Sequence, residues 1–552
     1  ASAATAAGID KSTVVSAAVY TTGHVTDELR AARDLANAQT LPTLGWTADA
    51  VKPVSPAKFT ATTPLSTGWN ATLDDWLGAP NKLPSGADDP DFDGGDNPGI
   101  AHDAIGSVGV ASFAAPTFLQ VSDKGYADPI HGTFAHDSSG KVALNPAAPT
   151  AKIWVTFVVP KTAMPAGGYP VVVFQHGMGG TRADVLCLAN SFAQKGWATA
   201  AIELVQHGTR NDDAVTRGDT KNDVARATSK YTGPDGFIDA SGDGANATPI
   251  NFFGSLYRLA ALRDQIRQSA IDHATLARIL KASPTLDGLA QGSPAVSPKI
   301  DGTKIAYVGD SLGGITGALV AGIEVEHAAY ILNVTGAGLM REVGTYSPNI
   351  YSLYGGAASL YFGFHGIEIP PWHPLTQVMQ HMVDGGDPLT SASHAILSPL
   401  AVGDHTPAAR NILLFEVLSD ELVPNESTDA LARAMGLDVM KPHAPLSIAL
   451  SEVSSGVHDS PFAGSTSAIV QLFPASHGFD LYGKPGGRTY ATAVPDWTPG
   501  ARVIFPKLKT AQSFDNPYLD TQGEAIAFID AAFKGSAPSV TWSDALGTPA
   551  DN

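Results

Sequence analysis

The chain has only one cysteine, Cys187, among 552 residues. A single cysteine excludes an intrachain disulfide, so stability must come from packing and hydrogen bonding. Cys187 stands in an apolar stretch with helical character, where a small buried hydrophobic residue is expected. No base motif accompanies it, so a nucleophilic role is not indicated.

Charged residues are also sparse, at 16%, and the basic ones are outnumbered. There are 34 Lys and Arg against 53 Asp and Glu, a formal net charge of −19. Nucleic-acid binding requires a basic surface, so this balance argues against a nucleic-acid partner. No apolar run of about 18 residues occurs, so no transmembrane segment is predicted. The 44% apolar content, 56 glycines and 39 prolines indicate a folded, loop-rich globular protein.

The sequence begins at Ala1, without an initiator Met and without a signal-peptide pattern. The simplest interpretation is a mature or trimmed chain whose export signal has been removed, and a missing upstream segment is the alternative. The low fraction of charged residues and the high content of Ala, Thr, Ser, Gly and Pro favour export from a bacterium. We therefore expect a secreted, extracellular or cell-envelope protein.

We predict that residues 1–110 form an accessory segment that packs on a main domain. An apolar run over 14–21 predicts a strand, and the following pattern predicts a helix over 26–36 with Thr26 as its cap. Within this segment Asp89, Asp91 and Asp93 have the D-x-D-x-D-G spacing of a calcium loop. The twelfth position is Ile, which excludes an EF-hand, so a looser structural calcium site and a solvated acidic turn both stay open.

The rest of the chain predicts a mostly parallel α/β sheet, because apolar strand patterns alternate with helical ones. Strands are predicted over 151–160, 169–175, 197–204, 304–308, 328–334, 411–417 and 468–473, and a long helix over 255–280. In such sheets ligands bind at the carboxyl ends of the strands.

Two insertions interrupt this core, which we divide into residues 111–338 and 406–552. We predict that residues 339–405 form a cap or lid and that residues 437–466 form a second, shorter insertion. We expect the aromatic residues of the cap either to fill its own small core or to line an apolar acyl pocket. These residues are Tyr346, Tyr351, Tyr354, Tyr361, Phe362, Phe364 and Trp372.

The central motif is an apolar strand, the pentapeptide GDSLG at 309–313, and a helix of small residues. It fits the nucleophile-elbow pattern G-x-S-x-G, which holds the serine, here Ser311, at positive φ and exposes its hydroxyl. Glycines are needed two residues to either side, because side chains there would clash where strand and helix meet. A chance glycine-rich turn is the alternative, but the strand-turn-helix context favours a nucleophile.

A serine hydroxyl needs a base to take its proton, and the base needs an acid to orient it. His477 follows the last predicted core strand and is our candidate base. Asp420 follows the preceding strand and is our candidate acid. Glu421 and Glu416 are neighbouring alternatives, although Glu416 lies within the strand, and Asp420 could instead cap the helix that follows.

The oxyanion of a reacting ester needs two backbone N–H groups aimed at it. One comes from Leu312, directly after the nucleophile. The other comes from the His-Gly-Met-Gly-Gly loop at 176–180, where we choose Met178, with Gly179 as the alternative. We expect the imidazole of His176 to brace this loop rather than to react.

The order Ser311, Asp420, His477, with a His-Gly loop upstream and Asp-x-x-Val-Pro after a late strand, resembles the α/β-hydrolase family, and its esterases and lipases most. The resemblance covers about residues 115–535. It implies an α/β-hydrolase fold with a mostly parallel central sheet, a Ser-His-Asp triad, the oxyanion positions named above, and no required cofactor.

More loosely, the chain is similar to large exported bacterial lipases with an extra N-terminal domain, through its composition and the segment 251–268. Gly-Asp-Ser-Leu also spells the signature of a different hydrolase family. There the serine stands near the start of the chain and a D-x-x-H motif carries the histidine. Here Ser311 is mid-chain and Pro474 stands three residues before His477, which argues against that family.

We therefore expect a secreted serine hydrolase that cleaves small-molecule, lipid or polymeric carboxylic esters. A polyester depolymerase and a serine peptidase of the same fold are alternatives. A non-catalytic surface-binding protein is a weaker one, because such proteins usually lose a member of the triad, and all three residues are present here.

Overall fold

The computed structural model describes residues 25–46, 52–55, 58–60, 103–122, 128–210, 258–290, 294–347, 350–351, 369–403, 405–418, 420, 422–472, 477 and 517–541. The strand predicted over 14–21 lies outside these ranges.

The strands are β1 (Gly45–Trp46), β2 (Lys52–Ser55), β3 (Lys58–Thr60), β4 (Ile105–Pro116), β5 (Ala135–His136), β6 (Val142–Ala143), β7 (Thr150–Pro160), β8 (Tyr169–Gln175), β9 (Ala198–Ile202), β10 (Ile300–Asp310), β11 (His327–Asn333), β12 (Ile412–Val417), β13 (Asp438–Met440), β14 (Glu452–Val453) and β15 (Ser467–Leu472). The α-helices are α1 (Asp27–Asn37), α2 (Leu186–Gln194), α3 (Leu259–Lys281), α4 (Leu312–Ile323), α5 (Gly344–Tyr346), α6 (Pro374–Val383), α7 (Pro388–Ser391), α8 (Asn425–Met435) and α9 (Pro517–Phe533).

One large sheet has the strand order β1-β4-β7-β9-β8-β10-β11-β12-β15-β13-β14. From β9 to β14 all neighbours pair parallel, whereas β7 pairs antiparallel with both β9 and β4. Strands β8, β9, β12 and β15 are mostly apolar and are buried along their whole length, as expected of parallel strands that are covered on both faces. Each predicted core strand is present, so the predicted mostly parallel α/β fold is confirmed.

Alternate residues of the central strands point to opposite faces, and each face carries its own apolar core. Tyr307 belongs to the core on the face covered by α3 and α4, whereas Ala306 and Val308 belong to the core covered by α2 and α9. No helix among the described residues is long and apolar enough to cross a membrane.

The described part of the N-terminal segment is joined to this core. Strand β4 begins at Ile105, so the predicted boundary at residue 110 falls inside it, and β1 adds an edge strand beside it. Helix α1 was predicted correctly, but Thr26 makes no side-chain cap and has helical backbone angles. Arg267 of α3 forms an ion pair with Glu28 of α1, which ties the two helices together.

The predicted cap begins with a π-helical turn, Leu339–Val343, and includes α6, which packs on α3, and α7, which packs on α4. The buried carboxylate of Asp387 accepts from the N–H groups of Gly338 at 3.0 Å and Leu339 at 2.6 Å. These bonds anchor α7 to the start of the cap.

Two cap aromatics show different environments. Tyr351 packs with Ile369 in a small local cluster, which fits the cap's own core, whereas Trp372 is 76% exposed. The cap aromatics Tyr354, Tyr361, Phe362 and Phe364 lie outside the described residues. In the second insertion, β13 and β14 extend the main sheet beyond β15.

Candidate active site

Ser311 occupies the turn between β10 and α4, and its backbone is strained as an elbow requires. Its φ is 54° and its ψ is −116°, a combination that is unfavourable for a residue with a Cβ. The Ser311 N–H donates to the carbonyl of Asn333, and the Ser311 carbonyl accepts from the N–H of Ile315, both at 2.9 Å. These bonds fix the half-buried serine at the carboxyl edge of the sheet.

The glycines on either side of Ser311 are required by close approach, as the pattern predicts. A Cβ at Gly309 would lie 2.5 Å from the carbonyl oxygen of Gly313. A Cβ at Gly313 would collide with the carbonyl oxygen of Gln175 at the end of β8. Neither position accepts a side chain unless the backbone shifts.

Asp420 and His477 follow β12 and β15, which are neighbouring parallel strands. The Nδ1 atom of His477 lies 2.8 Å from each carboxylate oxygen of Asp420. The Oδ1 atom also accepts from the N–H groups of Leu422 at 2.8 Å and Val423 at 2.9 Å. Both side chains are buried. The structure therefore brings the two residues together at the edge of the sheet that also carries Ser311.

Glu416, the alternative to Asp420, is engaged elsewhere. Its carboxyl oxygens accept from Asn425 Nδ2 and Gln471 Nε2, both at 2.7 Å. Burial raises the pKa of Glu416 well above its usual range, and the nearby Asp429 carboxylate raises it further. Glu416 is thus a structural carboxyl within the sheet.

The helix-cap interpretation of Asp420 is not supported either. Helix α8 begins at Asn425, its N-cap is Pro424, and it has no side-chain cap. Asp420 instead binds the amides of the turn before the helix. The other alternative, Glu421, lies outside the described residues.

The loop at 176–180 begins where β8 ends and lies against the nucleophile. The N–H of Gly180 donates to the carbonyl of Gly177 at 3.1 Å, with Met178 and Gly179 at the corner of the turn. Gly179 has φ of 85°, which favours glycine. A Cβ at Gly177 would lie 3.0 Å from the Cβ of Ser311. Met178 is therefore in a loop that touches the elbow.

Leu312, the other predicted oxyanion residue, is the first residue of α4 and is 6% exposed. Amides in the first turn of a helix have no partner within the helix, and the helix dipole favours negative charge near them. The start of α4 is therefore suited to bind an oxyanion formed at Ser311.

His176 braces this loop, as its position suggested. Its Nε2 accepts from the N–H of Leu204 at 3.2 Å, so Nδ1 carries the proton and donates to the carbonyl of Gly177 at 2.8 Å. Burial lowers the pKa of His176 well below its usual value, and the nearby ring of His207 lowers it further. The neutral imidazole thus joins the loop to the segment that follows β9.

A buried ion pair beneath the loop was not predicted from the sequence. Arg182 and Glu203 are both fully buried, with 2.6 Å between Nη1 and Oε2, and Arg182 Nε donates to Thr156 Oγ1 at 3.1 Å. Beside it, the Oδ2 atom of Asp184 accepts from the N–H of Thr181 at 3.1 Å. The T-x-x-D capping-box spacing at 181–184 was the available signal for that second contact.

The candidate calcium ligands Asp89, Asp91 and Asp93 lie outside the described residues. Within the ranges that the structure describes, no three His, Cys, Asp or Glu side chains converge as metal ligands. The calcium site therefore stays a prediction from the sequence.

No protein-family model matches the sequence, and no curated protein does. Among solved structures, the chain is similar to an acetyl xylan esterase from Paenibacillus sp. R4, with 13% identity, coverage of 83% of this chain and 91% of that chain, and a TM-score of 0.40. It is also similar to acetyl xylan esterase 1 from Thermoanaerobacterium sp. JW/SL YS485, with 12% identity, 67% and 78% coverage, and a TM-score of 0.35. For an acylaminoacyl peptidase from Pyrococcus horikoshii, identity is 12%, coverage is 71% of this chain and 48% of that chain, and the TM-score is 0.32.

Two features of this chain itself define its fold. One is the order and direction of the strands, and the other is the strained elbow between a central parallel strand and the helix that follows it. They agree with the resemblance in the sequence. The chain has the α/β-hydrolase fold.

Proposed function

We propose that the protein is a secreted serine hydrolase that cleaves carboxylic esters through an acyl-enzyme. The observation that carries the proposal is the contact between His477 and Asp420 at the sheet edge where Ser311 sits at positive φ. An acid, a base and a strained serine at adjoining strand ends are the parts that nucleophilic acyl transfer requires.

In the first half of the reaction, Ser311 Oγ attacks the ester carbonyl and its proton passes to His477 Nε2. The backbone N–H groups of Met178 and Leu312 bind the oxyanion of the tetrahedral intermediate. Asp420 keeps the proton of the imidazole on Nδ1 and stabilises the imidazolium. Collapse of the intermediate expels the alcohol, which takes the proton from Nε2.

In the second half, a water molecule attacks the acyl-enzyme and gives its proton to His477. The carboxylic acid leaves, and the proton returns to Ser311 Oγ. No step uses a cofactor, and the proposed calcium at Asp89, Asp91 and Asp93 would be structural only. Secretion is supported by the low fraction of charged residues and by the high content of small residues.

The test is hydrolysis of p-nitrophenyl esters of increasing acyl length, with Ser311→Ala as the matched control. We expect the wild type to turn over and the variant to be inactive, and the optimum chain length then sizes the acyl site. Labelling of Ser311 by a fluorophosphonate reports the nucleophile independently of the ester chosen.

Each other outcome points to a different alternative. Labelling of Ser311 without ester hydrolysis would favour the peptidase. Activity on insoluble polyester above that on soluble esters would favour the depolymerase. A wild type that neither hydrolyses esters nor reacts with the fluorophosphonate would overturn the proposal, and an active Ser311→Ala would show that the nucleophile lies elsewhere.

A further inference from the structure

Tyr307 connects the two sides of the nucleophile elbow. It lies in β10, four residues before Ser311, and is fully buried. Its hydroxyl donates to the carbonyl oxygen of Gly313 at 2.8 Å. Gly313 lies in the first turn of α4, so the phenol joins the strand that enters the elbow to the helix that leaves it.

The ring of Tyr307 is held tightly in this position. A Cβ at Gly309 would lie 2.7 Å from its Cε1 atom, and a Cβ at Gly317 would come closer still to the same atom. The rings of His273 and His327 meet it edge-on, with centroids 5.2 and 5.8 Å away. The hydroxyl therefore points at Gly313 from a ring that has little freedom to move.

Gly313 is also the point where the elbow meets the loop at 176–180, which we call the oxyanion loop. A Cβ there would collide with the carbonyl oxygen of Gln175 and lie 2.7 Å from that of His176. The Gln175 side chain is held in turn, because its Oε1 atom lies 2.6 Å from His273 Nε2. The Gly313 peptide is thus packed between the Tyr307 hydroxyl and the residues where the oxyanion loop begins.

We propose that Tyr307 is a positioning residue, whose hydroxyl holds the start of α4 against the oxyanion loop and so sets the spacing between the amides of Leu312 and Met178. The inference rests on the proposed function. Burial raises the pKa of the Tyr307 phenol well above its usual value, so the hydroxyl remains a donor across the working pH range. Displacement of a catalytic group by about 1 Å can cost up to about 100-fold in rate.

The neighbouring strand offers a matched control. Tyr330 pairs in register with Tyr307 and is also fully buried, but its hydroxyl contacts His327 Nδ1, at 3.3 Å. Tyr307→Phe and Tyr330→Phe each remove one buried hydroxyl and keep the ring. We expect similar, small losses of thermal stability from both.

We expect the kinetics of the two variants to differ. Tyr307→Phe should lower kcat for p-nitrophenyl acetate roughly tenfold with little change in KM, and slow fluorophosphonate labelling of Ser311 by a similar factor. Tyr330→Phe should leave kcat, KM and labelling unchanged.

Two results would overturn the positioning role while leaving the esterase intact. One is a Tyr307→Phe enzyme with wild-type kcat and labelling rate. The other is an equal loss of kcat in both variants, which would reflect general loosening of the core. A wild type that is inert to both esters and fluorophosphonate would instead overturn the proposed function, and the positioning role with it.

Discussion

The Nδ1 atom of His477 lies 2.8 Å from both carboxylate oxygens of Asp420, although 57 positions separate the two residues along the chain. The pairing follows from topology, because β12 and β15 are parallel neighbours and each residue follows its strand. A carboxylate in this position can hold the proton of the imidazole on Nδ1 and leave Nε2 to face the serine.

Asp420→Asn should therefore abolish most activity while the fold persists. The oxygen of the new amide can still accept from the N–H groups of Leu422 and Val423, but its NH₂ group then faces Nδ1 of His477 and favours the wrong tautomer. We expect kcat to fall by roughly 10³- to 10⁴-fold, measured with p-nitrophenyl acetate, while the far-ultraviolet circular dichroism is unchanged. Glu416→Gln is the control and should keep kcat within about twofold per folded molecule, because the acid function is assigned to Asp420. The opposite pattern would identify Glu416 as the acid.

Gly177→Ala should impair catalysis more than stability. Its Cβ would lie 3.0 Å from the Cβ of Ser311 and 3.5 Å from Oγ, so it would occupy space beside the nucleophile. We expect kcat/KM to fall roughly tenfold and the free energy of unfolding to fall by about 1 kcal/mol.

Gly167→Ala is the matched control for that substitution. Its Cβ would lie 3.8 Å from the carboxylate of Asp301, an ordinary contact in the loop before β8, and both kcat/KM and stability should be retained. Full activity in Gly177→Ala would show that the loop at 176–180 can withdraw from the elbow.

Replacing either Arg182 or Glu203, which form a buried ion pair, should lower the free energy of unfolding substantially. Arg182→Met or Glu203→Gln leaves one polar partner buried without its ion pair, which costs about 3–5 kcal/mol when a charge is left uncompensated. The double variant should lose less than the sum of the single losses, as shown by a double-mutant cycle in chemical denaturation. Additive losses would mean that the two side chains do not stabilise each other.

Much of the fold could be predicted because its signals are local. Continuous apolar runs predicted the parallel strands, and the glycine spacing around Ser311 predicted the strained turn that the structure contains. The positions of Asp420 and His477 are likewise predictable, because each residue follows a predicted strand and parallel strands carry their carboxyl ends to one edge of a sheet.

The rest depends on distant pairing that no local pattern encodes. The segment at 437–466 looked like an insertion, because its strands β13 and β14 are too short to stand out, yet they extend the sheet. The pairing of Arg182 with Glu203 depends on tertiary packing, which brings the two distant residues together. In the sequence, Tyr307 looks like another apolar strand residue, and only the structure shows that its hydroxyl contacts Gly313. Thr26 illustrates the reverse error, since a good capping residue preceded the helix without capping it.

The stability of the protein should depend on pH through Glu324, which follows α4. Its side chain is 2% exposed, and its Oε1 atom accepts from the N–H groups of Val325 at 2.6 Å and Glu326 at 2.9 Å. Burial raises the pKa of Glu324 to about 7 from 4.5, against the opposing effect of these amides and of Arg410. Between pH 4.5 and 7 the folded protein therefore holds a proton that the unfolded chain releases, so this contribution to stability is complete below pH 4.5 and is lost as the pH rises to 7.

Glu324→Gln keeps an oxygen that can accept from the two amides but does not titrate. Relative to the wild type, the variant should become more stable as the pH rises from 4 to 8, by about 3 kcal/mol at most. Chemical denaturation of both proteins at pH 4, 6 and 8 measures this difference. A difference that stays constant across the three pH values would mean that the Glu324 carboxyl titrates alike in the folded and unfolded states.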